Sequence, residues 1–177
     1  MKKMLSATLM VCMVAFLSTL LTPTALATKP TYVSGSLAYD PVIVDSKLAD
    51  GNLHLETTEV GLWFGDLVGV SWDEPCRVVI HKVVFDPDGN IVNFDFRWYT
   101  SIATFETATV GSKSGGLVMR LHGKDSGPGT DWHGQWVILS GTGELANLHG
   151  QGTWWGPGFP PGIPEDTIFY DGRIHFD

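Results

Sequence analysis

Ser140-Gly141-Thr142-Gly143-Glu144-Leu145-Ala146-Asn147-Leu148-His149-Gly150-Gln151-Gly152-Thr153-Trp154 is the segment most informative about the fold. Its glycines fall where strands turn and cross, because a residue without Cβ accepts positive φ and close backbone approach. Outward from this block, glycine and β-branched or aromatic residues are abundant past residue 30 and helix formers are sparse, a composition that favours strands.

The side-chain period is two. Phe94, Phe96 and Trp98 share one face against Asn93, Asp95, Arg97 and Tyr99. Leu117, Met119 and Leu121 oppose Val118, Arg120 and His122. Trp132, Trp136 and Ile138 oppose His133, Gln135 and Leu139, and Ile168, Tyr170, Ile174 and Phe176 oppose Asp171, Arg173 and His175. Each segment predicts one dry and one wet face. Asp86-Pro87-Asp88-Gly89-Asn90, Gly111 to Gly116, and Asp125 to Thr130 read as turns. Turns this close together leave no room for helical crossovers, so the strands are antiparallel. Strands are expected near 31–39, 53–59, 62–72, 76–85, 91–107, 116–123 and 132–139, with 150–155 and 168–176 competing for the last place. The expected fold is all-β: a single closed antiparallel β-barrel of eight, or nine, strands. A two-sheet sandwich is the alternative.

Gly65-Asp66-Leu67-Val68-Gly69, Gly111-Ser112-Lys113-Ser114-Gly115, Gly141-Thr142-Gly143-Glu144-Leu145 with Gly150-Gln151-Gly152-Thr153, and Tyr170-Asp171-Gly172-Arg173-Ile174-His175-Phe176 follow one another in an order that resembles the allene oxide cyclase barrel-like superfamily, including its bacterial members and the dirigent-like β-barrel. The resemblance covers about residues 60–177. It implies an eight-stranded barrel around an apolar cavity, in relatives that guide cyclisation of reactive hydrophobic intermediates. The interior carboxylate of the plant cyclases has no matching motif here. Glu56 alternates with Leu53 and Leu55 and so faces solvent, and Glu144 reads as a turn acid.

Residues 1–27 read as a cleaved signal peptide. Lys2 and Lys3 precede an apolar run over residues 4–21, and Ala25-Leu26-Ala27 supplies a small-x-small cleavage site. Residues 28–177 then form one domain, placed in a secreted or periplasmic, extracytoplasmic location. Losing the two lysines takes the net charge from −8 to about −10. That balance disfavours nucleic acid, whose phosphates require basic partners, and an anionic membrane surface after cleavage. Cys12 leaves with the leader, so Cys76 has no partner for an intramolecular disulfide. It shares parity with Val78 and Ile80 and reads as a buried, inert thiol.

No spacing of the six histidines marks a zinc site, and no cofactor is called for. Asp86-x-Asp88-Gly89-Asn90 begins like a calcium loop but lacks the closing Glu, and a hairpin turn accounts for it. Catalytic residues are not identifiable. Candidate pocket-lining residues are Phe94, Phe96, Trp98, Met119, Leu121, Trp132 and Trp136. Gly156 to Thr167, rich in proline, reads as a lid over a barrel mouth or an ordered cap. The expected function is binding of a small hydrophobic molecule in the barrel interior. The alternatives are a cofactor-independent cyclase or isomerase, and a structural or surface interaction module. A homo-oligomer is left open.

Overall fold

The computed structural model describes residues 28–157 and 167–177. The expected leader and most of the proline-rich segment, residues 158–166, lie outside the described residues. The chain forms β1 (Thr31–Ala49), β2 (Asn52–Gly65), β3 (Leu67–His81), β4 (Val84–Phe85), β5 (Ile91–Asn93), β6 (Phe96–Val110), β7 (Lys113–Asp125), β8 (Trp132–Gly141), a single 3-10 turn (Gly143–Leu145), β9 (Leu148–Gly156) and β10 (Thr167–Phe176). Eight of these strands form an antiparallel sheet in the order β1-β10-β9-β8-β7-β6-β3-β2. β1 pairs with both β10 and β2, so the sheet closes into a ring. Both segments that competed for the last place belong to it. β4 and β5 pair only with each other, across the turn in which the Asp86 carboxylate accepts from the backbone N–H groups of Asp88 and Asn90.

The strand boundaries differ from the expected ones for local reasons. Segments 53–59 and 62–72 are not two strands. β2 runs through to Gly65, which has φ 107°. The chain then reverses at Asp66, whose carboxylate accepts from Ser34 N–H at 2.8 Å. β3 likewise continues across 72–76. Its pairing with β2 shifts by one residue between Thr57 and Glu59, leaving Glu74 and Pro75 both exposed. Such a bulge accommodates a proline inside a strand and resets which side chains face inward. Asp73 and Cys76 therefore share the inner face despite odd spacing.

On β6 the expected phase is inverted. Phe94 is buried, but from the bend before the strand. Within the strand Arg97, Ser101, Ala103 and Phe105 are buried, while Trp98 is 49% exposed. The alternation Phe94-Phe96-Trp98 runs across a bend, which resets the phase. Arg97 is tolerated inside because Asp125, fully buried at the end of β7, meets it with both oxygens. Arg97 N–H donates to Oδ1 at 3.1 Å and Nε to Oδ2 at 2.7 Å, with Nη2 also on Oδ2. Its guanidinium lies 4.0 Å over the Trp132 ring and 5.2 Å from the Phe94 ring.

β7, β8 and β10 keep their expected faces. Leu117, Met119, Leu121, Trp136, Tyr170 and Ile174 are buried with Trp63, Phe105 and Trp154. Two indoles occupy slots left by cross-strand glycine pairs. Gly123 and Gly134 face each other on β7 and β8, and a Cβ on either would lie 2.2 or 2.4 Å from the Trp154 ring. Gly152 and Gly172 face each other on β9 and β10, and a Cβ there would lie 2.6 or 2.3 Å from Trp136. Trp136 Nε1 donates to the backbone oxygen of Asp171 at 2.9 Å. The Gly-rich block thus serves two ends: Gly143, at φ 61°, makes a turn, and Gly152 makes room for an indole.

Overpacking a core of this kind costs about 1–3 kcal/mol. Gly123→Ala is therefore expected to lower stability by about 2 kcal/mol, read as a lower urea midpoint with unchanged m-value. An unchanged midpoint would show that the Trp154 slot is not tightly filled.

Candidate functional site: a buried carboxylate pair

Continuing the inward parity of Leu53 and Leu55 along β2 brings Thr57 and Glu59 to the inner face. On β3 the bulge brings Ser71, Asp73 and Cys76 to that face. Glu59 and Asp73 are direct cross-strand partners, 6% and 4% exposed. Side chains at such positions have Cβ atoms about 5 Å apart, so two acids share one small volume inside the ring.

Each carboxylate is held by neutral donors. Glu59 Oε1 accepts from Thr57 Oγ1 at 3.1 Å and from the Cys76 thiol at 3.0 Å, and Oε2 accepts from Tyr99 O–H at 3.1 Å. Asp73 accepts from Ser71 Oγ at 2.8 Å and from Ser101 Oγ at 2.9 Å. Ser71 in turn accepts from Trp63 Nε1 at 3.0 Å, which ties the polar group to the aromatic core.

Burial pushes the Asp73 carboxyl up to about 6. The Ser71 and Ser101 hydroxyls oppose that rise, and the negative field of Glu59 adds to it. Burial, followed by Glu59, raises the Cys76 thiol and holds the Tyr99 phenol well above its ordinary value. Both therefore stay protonated and act as donors. Cys76 is a buried thiol engaged by a carboxylate, not an activated nucleophile.

Above this floor, toward the β1–β2 turn, Tyr39, Leu53, Leu55 and Val78 are only half-buried, so the inner wall is partly open to solvent there. Tyr99 packs edge-on against Trp132 and Trp154, with ring centroids 6.1 and 5.8 Å apart. Trp154 Nε1 is buried without a hydrogen-bond partner among the described residues. The opposite end is dry. A cavity of about 20 Å³ lies there among Val33, Leu67, Met119, Trp136, Tyr170 and Ile174, room for about one water.

The seven expected pocket residues do not converge. Met119 and Trp136 line the small dry cavity, and Leu121 is core. Trp132 and Phe94 flank Arg97. Phe96 stacks on His81 at 4.0 Å, on the outer face with exposed Trp98. Glu56 faces solvent against Arg77 as expected, at 3.4 Å, and Glu144 holds the Ser114 N–H of the neighbouring turn at 3.1 Å. Glu59 and Asp73 are the residues the sequence reading passed over. Extending the Leu53–Leu55 parity finds Glu59, and Pro75 inside a strand signals the phase change that places Asp73.

The Asp73 shift has a definite sign. A carboxyl whose folded pKa exceeds its unfolded one binds its proton more tightly when folded. Its contribution is fully present below about pH 4 and is lost as pH rises through about 6. Two units correspond to about 2–3 kcal/mol. Asp73→Asn is expected to raise stability at pH 7.5 by roughly that order, with the gain vanishing near pH 4, checked by urea unfolding across pH. A gain independent of pH would contradict the shift.

No protein-family model matches the chain, and no curated protein matches it. Among solved structures the chain is similar to a protein of unknown function from the DUF3224 family of Shewanella oneidensis MR-1. The two are 16% identical with a TM-score of 0.57, over 84% of this chain and 98% of that one. That likeness concerns the fold.

Proposed function

We propose that the protein is an exported β-barrel that binds a small, largely apolar molecule at the half-open end of the ring. The molecule's body lies against Tyr39, Leu53, Leu55 and Val78, and one polar group reaches Glu59. The observation that carries this reading is the Glu59–Asp73 pair. Buried carboxylates are costly to keep without function, and a buried acid with a raised pKa, as at Asp73, beside partly exposed apolar side chains marks a candidate site. The resemblance of the sequence blocks to the allene oxide cyclase barrel-like superfamily supports a barrel that works from its interior. The basic and apolar leader supports export.

A titration with neutral alcohols from cyclohexanol to decanol, followed by amide chemical shifts, tests this. Saturable shifts at Leu55, Cys76 and Tyr99 are expected, weakened at least 5-fold in Glu59→Gln. Shifts absent from these residues, or confined to the outer face, would overturn the reading.

A second reading, a cofactor-independent isomerase or cyclase, is favoured by one observation. Asp73, at about 6, can exchange a proton near neutral pH, as general acid–base catalysis requires. Binding alone predicts no chemical change in the ligand. An isomerase predicts exchange of carbon-bound hydrogen next to the carbonyl of a bound ketone in deuterated water, abolished in Asp73→Asn.

A further inference from the structure

The polar end of the ring carries two unmet groups of opposite kind. The first is negative charge. Every hydrogen-bond partner of Glu59 and Asp73 among the described residues is a neutral donor: Thr57, Ser71, Cys76, Tyr99 and Ser101. The ion pairs of the described residues lie elsewhere, at Arg77–Glu56, Lys82–Asp95, Arg97–Asp125 and around Asp177. The charge that acts on Asp73 is that of Glu59, which is also negative. Buried charge is ordinarily met by a charge of opposite sign. The second is a donor. Trp154 is 2% exposed, and its Nε1 has no acceptor among the described residues. An indole N–H can only donate, and a buried donor without an acceptor is costly. Tyr99 borders both groups. Its hydroxyl donates to Glu59 Oε2 at 3.1 Å, and its ring stands edge-on to Trp154 and Trp132, with centroids 5.8 and 6.1 Å away. Aromatic faces of this kind attract cations, and Trp132 already holds the Arg97 guanidinium over its ring at 4.0 Å.

We propose that the molecule bound at this end is an apolar chain ending in a 1,2-amino alcohol, its ammonium paired with Glu59 and its hydroxyl oxygen accepting the Trp154 N–H. The assignment rests on the binding reading above and narrows its polar group. A lone hydroxyl leaves the carboxylate charge unpaired. An alkylammonium leaves the indole unpaired. A carboxylate is repelled by both acids. The chain's net charge of −8 favours the approach of a cation. A cation beside Asp73 also favours its charged form and expels its proton. Glu59 on β2, Cys76 on β3, Tyr99 on β6 and Tyr39 on β1 face the same volume, and Arg97 on β6 is engaged by Asp125 of β7. Burial and Glu59 keep the Cys76 and Tyr99 protons in place. Asp73, at about 6, is then the group whose proton is displaced. Alkylamines stay protonated well above neutral pH, so their binding is expected to tighten as pH rises from about 5 to about 7.5.

Isothermal titration calorimetry of the purified chain with 1-amino-2-octanol, octylamine, 2-octanol and octanoate reads this chemistry. At about pH 7.5 the amino alcohol is expected to bind about 10-fold tighter than 2-octanol, with octylamine between them and octanoate unbound. Lowering the pH to about 5 is expected to weaken both amines several-fold and to leave 2-octanol unchanged. Glu59→Gln is expected to remove the amines' advantage over 2-octanol. The indole N–H resonance of Trp154 is expected to move downfield with the amino alcohol but not with octylamine, a readout that needs no substitution in the packed slot. Equal affinity for 2-octanol and both amines, or an indole resonance that stays in place, would overturn the proposal and leave the binding reading standing. Neither heat nor shifts with any of the four probes would overturn both.

Discussion

Glu59 and Asp73 face each other across two adjacent strands inside a closed sheet, and the arrangement around them answers to that fact. Burial, and after it the negative field of Glu59, disfavours the charged form of Asp73. Hydroxyl and thiol donors from Thr57, Ser71, Cys76, Tyr99 and Ser101 converge on the two acids from three strands. The Asp73 proton stays bound to a higher pH than usual. The bulge at Glu74–Pro75 is what allows Asp73 and Cys76 to face the same way. Without it, one of the two would point to solvent and the cluster would lose either an acid or a donor.

The polar cluster adjoins a closely packed interior. Trp136 and Trp154 each lie over a cross-strand glycine pair, so wide side chains pack flat against bare backbone. Trp63 joins the aromatic core, touching Phe105 and Tyr170, to the polar cluster through Ser71. At the half-open end, the Arg97–Asp125 pair, sandwiched by Trp132 and Phe94, fixes the bend from which β6 starts. The ring thus has a dry end with space for about one water and a polar end with partly exposed apolar walls.

Much of the fold was legible in the sequence because alternation and turn chemistry are local signals. Leu117-Met119-Leu121 and Trp132-Trp136 face inward as their period requires, and the Asp86–Asn90 and Asp125–Thr130 turns stand where their residues placed them, while the turn expected over Gly111 to Gly116 is confined to Gly111 and Ser112, with Lys113 to Gly116 already in β7. The errors come from phase. Phe94 sits inside from a bend, so counting it into β6 put Phe96 and Trp98 on the wrong face and hid Arg97 and Tyr99. The site was less legible because no residue pattern spells a cross-strand acid pair. Glu59 lay within reach of the parity that correctly turned Glu56 outward. Asp73 required recognising that Pro75 resets the phase.

Inside the ring, Asp73 holds its proton because burial and a second carboxylate disfavour its charge. Carbon-13 titration of the side-chain carboxyls measures this directly in the folded protein. A midpoint near 6 for the Asp73 carboxyl, moving down when Glu59 is replaced by Gln, is the predicted result. An Asp73 midpoint near 4, unmoved by that replacement, would contradict it and leave the cluster an ordinary hydrogen-bonded part of the core.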